Sequence, residues 1–168
     1  MIRLLRFNKK EETNTAGTAE QMAADNLEKY TQMIQEFLKE HRPDAAHEYT
    51  DTGKLRQWRV PVGKKTMFIN LSVEPDDERL GLISVSACMM RLPSPPLLPF
   101  YRHLLEANCQ FPGAAFGICE NEVWASSSRC IQGLNPPAIK EMWNSMVTIN
   151  NHVVPTLLDE FQFGAIPR

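Results

Sequence analysis

Apolar positions early in the chain recur at the spacing of one helix face. Met22, Leu27, Tyr30, Met33, Ile34, Phe37 and Leu38 fall on one side of a helix over residues 19–41. Thr18-x-x-Gln21 has the form of a capping box at its start, and Pro43 lies just past its end. Residues 8–17 are polar and include Gly17, the composition of a linker. Residues 1–17 are therefore expected to be a flexible N-terminal extension, and residues 18–168 a single domain.

The period then changes from helical to alternating. Trp58, Val60 and Val62 alternate with Arg59 and Pro61, and Gly63-Lys64-Lys65 turns the chain into a second run over residues 66–73. Residues 74–78 are turn-rich, and a third run covers residues 80–90. A short strand around residues 46–50 precedes these, with Asp51-Thr52-Gly53 turning toward Trp58. Ser94-Pro95 has the form of a helix start, which predicts a second helix over residues 95–109. Pro99 removes a backbone donor near its second turn, which moves the start toward Leu98. Residues 113–119 and 122–131 read as a hairpin around Glu120-Asn121. Asn135-Pro136 opens a third helix running to Phe161. Pro155 should bend or break that helix near residues 151–154 by deleting a backbone bond.

Both later helices carry broad apolar arcs. Leu97, Leu98, Phe100, Tyr101, Leu104 and Leu105 span about 160°, where one sheet face needs only about 100°. The excess predicts a second cover, and a second copy of the chain is the economical one. Leu98, Phe100, Tyr101 and Leu104 are thus the candidate dimer or partner interface. The third helix is equally broad, from Ile139 to Phe161. Asn108 and Asn150 fall within these stripes, and we read both as bonded to backbone, because an unpaired buried amide costs about 1–3 kcal/mol.

Charge narrows the partners. The formal net charge is -2, so no global field holds nucleic acid. A local basic patch exists at Lys54, Arg56, Arg59, Lys64 and Lys65, with Trp58 among them. It fits a single-strand stacking platform, but it fits better the polar face of a strand whose tryptophan is in the core. No apolar run approaches the ~20 residues of a membrane span, and the start, Met1 to Lys10, is a poor signal peptide because arginines break its apolar part.

Catalytic chemistry is not visible. His41, His47, His103 and His152 form no HExxH and no metal-ligand spacing with carboxylates. Ser126-Ser127-Ser128 lacks a GxSxG elbow, and the glycines form no phosphate cradle. Asp76, Asp77 and Glu78 read as a solvated loop. Cys88, Cys109, Cys119 and Cys130 contain no CxxC and read as buried, reduced thiols of a cytoplasmic protein. No catalytic residue, metal or cofactor is therefore assigned.

Several segments together resemble the YbjN-like group and, more broadly, the type III secretion chaperone-like fold. They are Trp58-Arg59-Val60-Pro61-Val62, the strand from Leu80 to Met90 leading into Arg91-Leu92-Pro93, and Leu104-Leu105-Glu106-Ala107-Asn108. The hairpin from Ala115 to Ile131 and the closing Phe161-Gln162-Phe163-Gly164 follow. The resemblance covers about residues 19–164. It implies an α+β domain, an antiparallel sheet flanked by helices in the order α-β-β-β-α-β-β-α, usually a homodimer. Secretion chaperones of this fold hold an extended effector segment against their surface. This chain departs in its basic N-terminal extension and its mild charge, which point to a cytosolic adaptor or regulatory homodimer. The expected function is a non-enzymatic protein-binding module, chaperone-like or adaptor, acting on itself and on an unidentified protein or peptide. Two alternatives stand beside it. One is a small-ligand-binding protein or enzyme with a site hidden from sequence; the other is weak nucleic-acid binding through residues 54–65.

Overall fold

The computed structural model describes the backbone of residues 9–74, 77–94 and 96–161, and side chains from residue 25 onward except those of residues 73–80. Helix α1 spans Lys9–His41 and precedes four strands, β1 (Glu48–Asp51), β2 (Leu55–Val62), β3 (Lys65–Glu74) and β4 (Asp77–Arg91). Helix α2 (Leu98–Gln110) leads into β5 (Ala115–Cys119) and β6 (Glu122–Cys130). Helix α3 (Pro136–Thr148), a π turn over Ile149–Val153 and helix α4 (Val154–Phe161) close the described chain. The fold is α+β. Four strands precede α2, the short first one near where the sequence places it, whereas the order implied by the resemblance has three; the last helix is divided.

All pairings are antiparallel, in the order β1-β2-β3-β4-β6-β5. Alternation sorts the side chains between two faces. Trp58, Val60, Ile69, Leu71, Ile83, Val85, Val123 and Ala125 all have zero exposure on one face. That face is covered by α1, through Ile34 and Leu38, and by α3, through Ile139 and Met146.

One boundary differs from expectation, and two prolines act where the sequence places their effect. Residues 9–17, expected as linker, continue α1. Lys9 to Glu12 are good helix formers, and extending a helix needs no new nucleus. Thr18 therefore lies inside α1 and not at its cap. Helix α2 starts at Leu98, which puts Pro99 in the first turn, where a missing N–H costs nothing; its N-cap is Leu97, without a side-chain bond. Pro155 follows the π turn, where a widened turn absorbs the lost backbone bond. The start of α3 is as expected: Asn135 accepts from the Ala138 N–H at 2.9 Å.

The α3 arc finds its cover inside the chain, and the α2 arc does so only in part. Helix α3 meets both the sheet and α1, and Phe37 sits edge-on to Trp143 at 5.8 Å. On α2, Phe100 is fully buried and Leu104 is 5% exposed. Phe100 meets Phe161 of α4 at 5.3 Å, nearly perpendicular. These two positions therefore serve the core and not a partner-facing surface. Tyr101 is half-buried, and Leu98 and Leu105 remain 79% and 66% exposed.

Candidate functional site

The sheet face opposite the helices is open, and its residues form four cross-strand rows. Pro61 pairs with Thr66, and Cys88 with Trp124 and Gly117, in the first. Arg59, Phe68, Ser86, Ser126 and Ala115 form the second. Gln57, Asn70, Ser84 and Ser128 form the third, and Leu55, Ser72, Leu82 and Cys130 the fourth. None of these side chains is buried; Leu82, far from any edge, is 51% exposed. Gln57 donates to Asn70 at 2.7 Å, Asn70 donates to Ser84 at 3.3 Å, and the Ser126 and Ser128 hydroxyls pair at 3.0 Å. Phe68 and Trp124 lie tilted at 5.8 Å. Charge lies at the margins of this face: Arg59 pairs in register with Glu48 of β1, 2.6 Å away, with its guanidinium 5.8 Å from the Phe68 ring centroid, and Glu122 accepts from the Trp124 indole at 3.1 Å beyond the first row.

A second feature lies on the helix side. Phe111, Pro112 and one flank of α3 from Pro137 to Ile149 line an open groove of about 460 Å³. Glu141 and Ser145 also line an adjoining hollow of about 280 Å³, whose other wall is Gly113 and Ser127–Cys130. Strand β5 pairs with β6 only as far as Ser126. Beyond that point, β6 has β4 on one side and no strand on the other among the described residues. The Ile131 N–H donates to Gly81 at 3.0 Å on the β4 side. Alternation then turns the N–H and C=O of Ser128 away from β4, toward this outer edge. The Ser127 hydroxyl donates to the Gly113 carbonyl and pins the loop that ends the groove.

The basic cluster dissolves into separate roles. Arg56 donates to Thr31 at 2.6 Å, Glu28 at 2.9 Å and Asp51 at 3.0 Å, and is only 15% exposed. Arg59 pairs with Glu48. Lys65 turns inward and donates to the Met89 carbonyl at 3.0 Å, and burial lowers its pKa. Lys54 and Lys64 stay exposed, each beside a turn glycine. Trp58 is in the core beside Tyr49, at 5.1 Å, and offers no stacking platform.

The titratable residues are dispersed. His103 meets Glu160 at 3.2 Å beside the Phe161 ring. His41 stacks on Phe37 at the end of α1, while His47 and His152 are exposed. Burial, and then Glu122, push the Cys88 thiol up, which holds it in its unreactive neutral form. Cys109, Cys119 and Cys130 are exposed, not buried as the sequence suggested, because they fall near element ends and on the open face. Among the described residues no group of three His, Cys, Asp or Glu side chains is placed to hold a metal ion. Asp76 lies outside the described residues, as do the side chains of Asp77 and Glu78. No described helix is long and apolar enough to cross a membrane.

Sequence reasoning missed both the open face and the groove. The face appears only when four strands are aligned, and the groove only when β5 is seen to stop short of its partner. No protein-family model matches the chain, and a search of curated proteins gives no match.

Proposed function

We propose that the chain is a non-enzymatic protein-binding module, a chaperone-like or adaptor homodimer. It takes an extended polypeptide segment along α3 by strand addition to β6. The observation that carries this reading is the outward main chain at Ser128 beside the groove. An edge of this kind recognises any extended chain through its backbone, and the adjoining pocket selects side chains. From Pro137 to Ile149 the groove runs about 18 Å along α3, the length of about five extended residues. The resemblance to YbjN-like and secretion-chaperone proteins supports the same mode.

The test is selection from a phage-displayed library of random heptapeptides, followed by calorimetry on the enriched peptides. Binding should require the peptide backbone, so N-methylation at alternate positions should abolish it. Ser128→Pro should do the same while leaving the β4 ladder intact, since the lost N–H is the outward one. Enriched peptides that tolerate both changes would refute strand addition.

A second reading has its own support. The groove volume falls within the 300–1,000 Å³ range of small-molecule pockets. A ligand held there by side chains alone would bind Ser128→Pro as well as the native chain.

A further inference from the structure

We infer that the open face of the sheet is covered by a second copy of the chain, packed face to face about a twofold axis near Ser86 and Ser126. This deepens the homodimer reading above by locating its interface. It shares Ser128 with the proposed peptide edge, but the groove along α3 lies on the helix side of the sheet.

Three observations carry it. The first is charge. A solvated surface carries about 25–35% charged residues, and the chain as a whole is 23% charged. The middle of the face, around Ser84, Ser86, Ser126 and Ser128, carries none; charge is confined to the Arg59–Glu48 pair on the β1 side and to Glu122 beyond Trp124. A face whose centre is without charge does not repel its own twin, whereas a basic or acidic centre would. Depletion of charge with aromatic enrichment is the signature of an interface core.

The second is shape. Small side chains occupy the middle of the face at Ser84, Ser86, Ser126 and Ser128, with Phe68 and Trp124 beside them and Leu82 half-exposed. Sheets stack about 10 Å apart when inner side chains interdigitate. Serines near the axis leave room for the copy's larger residues and supply hydroxyl pairs across it.

The third is area. Five strands about 4.8 Å apart, crossed by four rows about 6.7 Å apart, give a face of roughly 600 Å² in projection. Pleating and side chains raise its accessible area toward the roughly 800 Å² per partner buried in a standard stable interface.

Light scattering across a concentration series tests this. The native chain should have a dimer mass at micromolar concentration; a monomer at 100-fold higher concentration would overturn the inference. Ser86→Arg should weaken the dimer at least ~100-fold, through two buried like charges near the axis. Ser86→Glu should do likewise, and mixing the two variants should restore the dimer mass. Leu98→Arg should leave the dimer unchanged. A dimer lost in Leu98→Arg and kept in Ser86→Arg would place the interface on α2 and overturn the inference. Hydroxyl-radical footprinting of the native chain needs no substitution to fold. Oxidation of Phe68, Leu82 and Trp124 should rise on dilution, and a constant rate would also overturn the inference.

Discussion

Asn108 is held by two bonds to the main chain of one residue. Its amide donates to the Phe116 carbonyl at 3.2 Å and accepts from the Phe116 N–H at 2.6 Å. The pair ties α2 to β5, so the amide replaces a backbone partner that the strand itself lacks. Replacing it with alanine orphans both groups of Phe116 in a half-buried site. Asn108→Ala should lose about 1–3 kcal/mol in urea unfolding, with the m-value unchanged. Asp51 acts through charge. The Gly53 N–H donates to it at 2.8 Å, and the Tyr49 hydroxyl and Arg56 also favour the carboxylate, so its pKa lies below 3.8. A depressed carboxyl stabilises the fold above its unfolded value and loses that contribution as pH falls through the folded one. Asp51→Asn should therefore lower the urea midpoint at pH 6, and the gap to the native chain should close below about pH 4. A gap that stays constant to pH 2 would show that charge plays no part.

At the scale of elements, Arg56 joins α1 to the β1–β2 margin of the sheet. Its guanidinium reaches Thr31 and Glu28 on the helix and Asp51 on β1. The two helix partners differ in environment. Thr31 is 3% exposed, while the Glu28 side chain is 57% exposed. A double-mutant cycle of Arg56→Leu with Thr31→Val should give a coupling of about 1–2 kcal/mol. The cycle with Glu28→Gln should give less than about 1 kcal/mol, because solvent screens an exposed pair. Equal couplings would mean that the buried hydroxyl is not the anchor. Elements of this kind were legible wherever a local signal decided them. Asn135-Pro136 marked the start of α3, and Gly53 and Gly63 adopt the positive φ their turns require, 83° and 62°. Pro155 marked a break that the chain meets with a π turn. The burial of Phe100 and Leu104 on α2 was not legible, because the apolar arc does not say what covers it. Phe161 does so from within the same chain, more than fifty residues away, and no periodicity encodes that contact.

The whole molecule is a sheet with one sealed face and one open one. The sealed face was legible in the alternation of β2, β3 and β4. The open face was not, because each strand alone reads as an ordinary polar edge of small residues. Only the register of neighbouring strands shows that Ser84 adjoins Ser128 and Ser86 adjoins Ser126 across it, and that charge is missing from its middle. That absence has a thermodynamic consequence. If two copies share this face, folding and association are linked, and stability depends on protein concentration. A tenfold rise in concentration adds about 1.4 kcal/mol per dimer. An unfolding entropy near 2.1 cal/mol/K per residue, summed over both copies, converts this to about 2 °C in Tm. Calorimetric scans of the native chain should show that slope. Ser86→Arg should show none, and its Tm should equal that of the native chain extrapolated to low concentration. A flat Tm in both would mean that the face is solvated, and that its lack of charge serves some purpose other than self-association.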